Sequence, residues 1–229
     1  MNLSMIEQQI AKKFPNNIIG CQANHNFNQE FTITISGTEY LLSLLQYLKE
    51  EPSIYCQQLI DLCGVDYLHY GKAEWNTQTA TNHGFSRAVN NNAGETALTP
   101  ENTSRFAVVY HLLSLSNNLR IRVKCFLQDL NLSVPSCIVI WPVANWYERE
   151  AFDLFGIYFN NHPNLRRILT EDNFNGAPFR KDFPLSGNLE VRFDAKSQQV
   201  IYEPINIDQY NVVPKVIRPE KIMENDSET

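Results

Sequence analysis

The spacing of hydrophobic positions changes several times along the chain, and each change marks an element. Ile6, Ile10 and Phe14 recur at helical spacing behind the capping-box pattern of Ser4 and Glu7, and Pro15 stops the run. Phe31, Ile33 and Ile35 alternate with Thr32 and Thr34, as in a strand with one buried face. Ser36 and Glu39 repeat the capping-box form. Leu41, Leu44, Leu45 and Leu48 then make an apolar helical stripe that ends before Pro52. Residues 53–63 fit no period cleanly, and a short helix closed by Gly64 is expected there. From Phe106 to Leu113 the chain is apolar on both faces, the pattern of a central strand. Ser116-Asn117-Asn118 signals a turn. Beyond it Leu119, Ile121, Val123, Cys125 and Leu127 alternate with Arg120, Arg122 and Lys124, which predicts a hairpin. Cys137 to Trp141 reads as one more short strand. Asn145 and Glu148 form a capping-box-like start, Tyr147, Ala151, Leu154 and Phe155 share a helical face, and Gly156 can close that helix.

These elements add up to an α+β fold, a mixed or antiparallel sheet with helices on one side, over residues 1–145. Residues 146–187 read as a helix followed by an irregular segment fixed by Pro and Gly, and 188–229 as an irregular, extended C-terminal arm. From Glu203 onward the tail holds three prolines and an acidic end, with Val212 to Ile217 expected as its apolar anchor. Gly71 to Ser104 is polar and rich in Asn and Thr. It exceeds the roughly 12–15 residues of most structureless loops, so a binding loop or a mobile excursion is expected.

Composition narrows the class. With 43% hydrophobic residues in 229, the chain can build a core, and wholesale disorder is excluded. A net charge of −6 argues against a nucleic-acid footprint. The longest apolar stretch, Cys137 to Ala144, is interrupted by Pro142 and is far short of the roughly 20 residues of a membrane span. The first residues lack the basic and apolar regions of a signal peptide. Five cysteines, at 21, 56, 63, 125 and 137, suggest reduced thiols, because the number is odd and the spacing irregular.

Catalytic and cofactor motifs are missing: no nucleophile elbow, zinc-protease motif, P-loop or dinucleotide fingerprint, and no Cys-x-x-Cys. No catalytic, cofactor-binding or metal-binding residue is therefore assigned. Cys125 reads as a buried structural thiol, and His111 as a core histidine ahead of a ligand. What stands out is the density of charge and aromatics in 145–187. Arg149 and Asp153 stand at i, i+4 and Glu150 and Asp153 at i, i+3. His162, Arg166-Arg167 and Arg180-Lys181-Asp182 follow. Glu148, Glu150 and Asp153 could be an acid/base set, or the charges could simply face water. Arginine forks and carboxylates interleaved with aromatics on an irregular chain also suit a surface buried against other subunits.

The same residues carry a resemblance. Glu148-Arg149-Glu150-x-x-Asp153-x-Phe155-Gly156-Ile157-x-Phe159-x-x-His162-Pro163-x-Leu165-Arg166-Arg167-Ile168-Leu169 resembles the signature of the thirty-kilodalton subunit family of respiratory complex I, the C subunit of NADH-quinone oxidoreductase. The likeness continues through Phe174, Gly176 and Pro178 to Arg180-Lys181-Asp182-Phe183-Pro184-Leu185-x-Gly187. More weakly it takes in Leu62-Cys63-Gly64-Val65-Asp66-Tyr67, the hairpin strands and Tyr202-Glu203-Pro204. One departure is that Glu171-Asp172-Asn173 is wholly polar where relatives usually carry an aromatic. The resemblance implies a cofactor-free structural subunit of the peripheral arm, with FMN and iron–sulfur clusters in partner subunits that pass electrons from NADH to quinone. It implies other peripheral-arm subunits as partners, notably the quinone-module subunits B and D, and contact with the membrane only through the complex. The expected place is the cytoplasmic side of a bacterial inner membrane, with an organelle-encoded origin left open. It further implies that Glu148, Arg149, Glu150, Asp153, His162, Arg166, Arg167, Arg180, Lys181 and Asp182 serve a subunit interface and assembly. The alternatives are a homologous subunit of a membrane-bound hydrogenase-type complex and a free-standing enzyme built on Glu150 and Asp153.

Overall fold

The structure, a computed structural model, describes residues 3–14, 18–23, 30–68, 76–77, 89–90, 104–128, 132–184 and 186–205. By its internal contacts the chain divides into two units, Met1–Phe183 and Pro184–Thr229.

The first unit is built on a five-stranded sheet. In chain order its elements are α1 (Leu3–Lys13), β1 (Ile18–Ala23), β2 (Glu30–Ser36), α2 (Leu41–Glu50), β3 (Gln58–Asp66), β4 (Asn76–Thr77), β5 (Val89–Asn90), β6 (Phe106–Ser114), β7 (Leu119–Phe126), β8 (Ser133–Pro135), α3 (Ala144–Phe155) and β9 (Tyr158–Asn160). The large sheet runs β1-β2-β7-β6-β3. Only the β2–β7 pair is parallel, with Phe31 opposite Ile121 and Ile33 opposite Val123, so the sheet is mixed. Two small ribbons accompany it, β4 with β5 and β8 with β9.

Alternation decides which face is covered. Phe31, Ile33 and Ile35, then Val108, Tyr110 and Leu112, then Ile121, Val123 and Cys125 form one continuous core. Ile6 and Ile10 of α1, Leu41, Leu44, Leu45 and Leu48 of α2, and Ala144 and Ala151 of α3 complete it. The fold class is thus the one read from the sequence, an α+β sheet whose helices share one core. The β6–β7 hairpin is also as expected. Its turn, 115–118, holds Asn118 at φ 49°, and the Asn117 side chain donates to the carbonyl of Ile54 at 3.0 Å.

Four local expectations are corrected. Residues 53–63 hold no helix: a turn at 52–54 leads into β3, whose burial alternates beyond a register shift between Leu59 and Asp61. That irregularity hides the strand period from a reading of the sequence. Cys137 to Trp141 is a turn and not a strand, because the amides of Ile140 and Trp141 both donate back to the Cys137 carbonyl. Helix α2 starts at Leu41 after Tyr40, without a side-chain cap. Helix α3 likewise starts without one, since its Glu148 is used elsewhere. Strand β1 had no signal strong enough to predict it. Most of 71–104 lies outside the described residues.

The second unit contains a two-stranded antiparallel ribbon of β10 (Leu189–Asp194) and β11 (Gln199–Pro204), an element the sequence pattern does not predict. Leu189, Val191 and Phe193 stand opposite Pro204, Tyr202 and Val200. All but Pro204 of these are large hydrophobics that stay more than half exposed. Residues 206–229, with Val212 to Ile217, lie outside the described residues.

Gly64 supplies a test of the packing between β3 and α3. A Cβ there would sit 2.7 Å from the Phe155 ring and 3.1 Å from Ile157. Gly64→Ala should cost about 1–3 kcal/mol through overpacking, read as a lower urea midpoint. An unchanged midpoint would mean that α3 is free to move off the sheet.

Candidate functional site

Helix α3 ends where Gly156 takes φ 71°, a left-handed conformation that glycine adopts without strain. Glycine is needed there for space as well, because a Cβ would lie 2.8 Å from Nη2 of Arg180. The chain then turns back, and the irregular stretch from Asn161 to Phe183 is fixed to α3 and to the sheet by three buried carboxylates.

The first is Glu148, with no exposed surface. Its Oε2 accepts from the Ser136 hydroxyl at 2.6 Å and its Oε1 from the Cys137 amide at 2.7 Å. Burial pushes its pKa up, and these two donors work against that rise. His162 is sealed beside it, with Nε2 at 4.0 Å from Oε2. The Asn164 amide donates to Nδ1 of His162 at 3.0 Å, which assigns the proton to Nε2, facing the Asn145 carbonyl at 3.3 Å.

The second is Asp153, also fully buried. Three successive amides, of Ile168, Leu169 and Thr170, donate to its Oδ2 at 2.9, 2.7 and 2.9 Å. The Arg167 guanidinium donates to Oδ1 at 2.8 Å, joined there by the Thr170 hydroxyl. Burial alone would raise its pKa, but the Thr170 hydroxyl and the three amides outweigh it and hold the carboxyl well below the usual range. Arg167 also donates to the Gly176 carbonyl at 3.0 Å and lies 5.9 Å from the Phe174 ring. Phe174 in turn stacks on Phe183 at 5.8 Å, so the polar 171–173 stretch does not leave it without a partner.

The third is Asp66, at the end of β3. Arg105 grips it from two nitrogens, at 2.9 and 2.7 Å, and the Lys181 and Leu68 amides donate at 2.8 and 3.0 Å. Arg105 also reaches Asp182 at 2.9 Å. Burial opposes ionisation of Asp66, yet these donors prevail and bring its pKa down to about 2. The Arg105 and Arg180 guanidinium groups both lie over Phe106, at 4.6 and 5.0 Å from the ring centre. Arg180 donates to the Phe155 carbonyl at 2.7 Å.

The residues singled out from the sequence therefore separate into two groups. Glu148, Arg149, Asp153, His162, Arg167 and Arg180 point into this framework. Glu150, Arg166, Lys181 and Asp182 are exposed. The expected i, i+4 pair is corrected: Asp153 takes Arg167, while Arg149 lies 5.0 Å over the Trp146 ring and faces the Arg166 carbonyl. Glu148 and Asp153 have their oxygens occupied by donors, which removes them as an acid/base set. The sequence pattern gives no sign of Arg105, whose partners lie 39 and 77 residues away. Asp66 stands out in the sequence only for its place in the weaker resemblance. Several large apolar side chains in and next to the segment are exposed as well. Val139 is 92% exposed, and Val143, Trp146, Tyr158, Leu169 and Phe179 are all open to solvent.

Residues 34–189 match the family described as the 30 kDa subunit of respiratory-chain NADH dehydrogenase. The chain belongs to that family. The C subunit of NADH-quinone oxidoreductase from Legionella pneumophila strain Corby is 56% identical over 178 residues, 78% of either chain. The C subunit of the same enzyme from Coxiella burnetii strain Dugway 5J108-111 is 47% identical over 204 residues, 85% of this chain and 89% of that one. A chain in the structure of the membrane-bound sulfane sulfur reductase, an archaeal respiratory membrane complex, shares the fold. Its TM-score is 0.55 at 20% identity, over 81% of this chain and 87% of that one. The function is that of the C subunit of NADH-quinone oxidoreductase, complex I, and this decides against the hydrogenase-type and free-standing alternatives. Its partners are other complex I subunits. Among the described residues no helix is long and apolar enough to cross a membrane.

Two outcomes follow from the carboxylates. Arg167→Ala strands Asp153 in a buried position and should cost about 3–5 kcal/mol, measured by urea unfolding of the full chain. A loss below about 1 kcal/mol, the scale of an exposed pair, would mean the pair is solvated. Asp66 has a folded pKa below its unfolded one. Its contribution to stability is complete above the unfolded value of about 3.9 and disappears as pH falls through about 2. The stability of Asp66→Asn should therefore fall less steeply than wild type across that acid window.

Proposed function

We propose that the chain is a structural subunit without a redox cofactor, bracing quinone-module subunits B and D in the peripheral arm on the cytoplasmic side of the inner membrane. FMN and the iron–sulfur clusters belong to partner subunits. In this reading Glu148, Arg149, Asp153, His162, Arg167 and Arg180 act in assembly indirectly, by holding the 161–183 segment in shape. Glu150, Arg166, Lys181 and Asp182 act at its rim. The observation that carries the reading is the run of exposed apolar side chains at the start of α3, Val139, Val143 and Trp146, set on this rigid base. Interface cores are built of such aromatic and aliphatic groups, with charge at the edge. The apolar face of the β10–β11 ribbon supports it too. A lone two-stranded ribbon is marginally stable in water, so a second surface laid over Val191, Phe193 and Tyr202 would hold it.

Recovery of assembled complex through a tagged chain provides the test. Trp146→Ala should cost about 2 kcal/mol of association if it is an interface anchor, while the free chain unfolds at the wild-type urea midpoint. Val139→Asp should behave in the same direction. Full recovery of complex from both variants would refute the docking role. The purified chain should show no flavin absorbance and no iron, and stoichiometric amounts of either would overturn the cofactor assignment.

A further inference from the structure

Strand pairing brings together three donors that their spacing in sequence does not. Asp61 and Cys63 stand two apart on β3, so they share a face of the sheet. His111 on β6 stands directly opposite Asp61 in the antiparallel register. A carboxylate oxygen, a thiol sulfur and an imidazole nitrogen thereby come within 4.8 Å of one another, on half-buried side chains. None of the three side chains is engaged in a hydrogen bond or ion pair among the described residues. They lie on the opposite face of the sheet from the apolar core, at its β3 edge.

We propose that Asp61, Cys63 and His111 form a binding site for a zinc-class divalent cation. The donor set is the mixture of nitrogen, sulfur and oxygen that such a cation prefers. Bonds of about 2.0–2.3 Å set tetrahedral donors roughly 3.5 Å apart, so rotations that move the donor atoms by about an ångström complete a three-ligand shell, with water in the fourth position. The local charge favours a cation. The Asp61 and Glu150 carboxylates both act electrostatically on Cys63. Glu150 lies one turn along α3 from Tyr147, whose hydroxyl donates to the Ile60 carbonyl at 2.8 Å and places that helix against the same strand. Arg122, opposite His111 on β7, opposes a cation, and the Glu30 carboxylate offsets it at His111. Binding displaces the thiol proton to solvent, and the cation's charge replaces it beside the two carboxylates. The site needs no redox change and is separate from the buried carboxylates of the α3 framework.

Cobalt(II) is the probe, because a bound thiolate gives it a charge-transfer band in the near ultraviolet. The full chain, purified metal-free and kept reduced, should develop that band at one equivalent and lose it when zinc is added. Cys63→Ser should abolish the band, and His111→Gln should weaken cobalt binding at least tenfold, each with an unchanged circular-dichroism spectrum. His111→Gln keeps the test decisive should Cys63→Ser fail to fold. Absence of a band in the wild-type chain, its persistence in Cys63→Ser, or wild-type affinity in His111→Gln would overturn the site.

Discussion

An ionised carboxylate shut away from water must find every partner inside the protein, and Asp153 meets that condition five times over. Three consecutive amides can converge on one oxygen only if the chain at Ile168–Thr170 curls around it, so the charge dictates the loop. Helix α3 carries the carboxylate, Gly156 turns the chain back, and Arg167 ties its other oxygen to the Gly176 carbonyl. The 161–183 segment, which holds neither helix nor strand, thus gains a defined shape from electrostatics. The Arg105–Asp66 pair repeats the device at the sheet, where it catches the far end of the segment through the Lys181 amide and Asp182.

Such a design gives the numerous charged residues of this stretch a structural use. Buried ion pairs add little net stability over a hydrophobic replacement, yet losing one partner is costly. They therefore specify a geometry more than they strengthen it. Beside them stand exposed apolar side chains such as Trp146, Leu169 and Phe179, a combination suited to a subunit whose partners are other chains of complex I.

Much of the sheet was legible because its strands follow a clean period. Leu119 to Cys125 alternates without a break, and Leu41 to Leu48 keeps a helical stripe. Strand β3 was not legible, since a register shift after Leu59 breaks the alternation and Gly64 leaves a gap where Phe155 packs. The Cys137 turn misled for the opposite reason: it is buried and apolar, so composition resembles a strand while the hydrogen bonds close locally. In the site, the signature residues were visible as a cluster, but their partners were not. Arg167 meets Asp153 across a chain reversal, and Arg105 meets Asp182 across most of the fold. Arg149 and Asp153 are neighbours along the helix, yet Arg149 lies over Trp146 and Asp153 takes Arg167.

The parallel register of β2 with β7 has a consequence for how the chain comes into being. Glu30 cannot find Arg120 until everything between them has been made. During synthesis the first two strands and α2 therefore wait, their apolar faces uncovered, until β6 and β7 leave the ribosome and slot between β2 and β3. Closing so long an intervening stretch is entropically slow, and chains with such distant pairings fold later and expose sticky edges for longer. The central strand pair thus leaves apolar strand faces of the nascent chain uncovered for longer before any partner can dock.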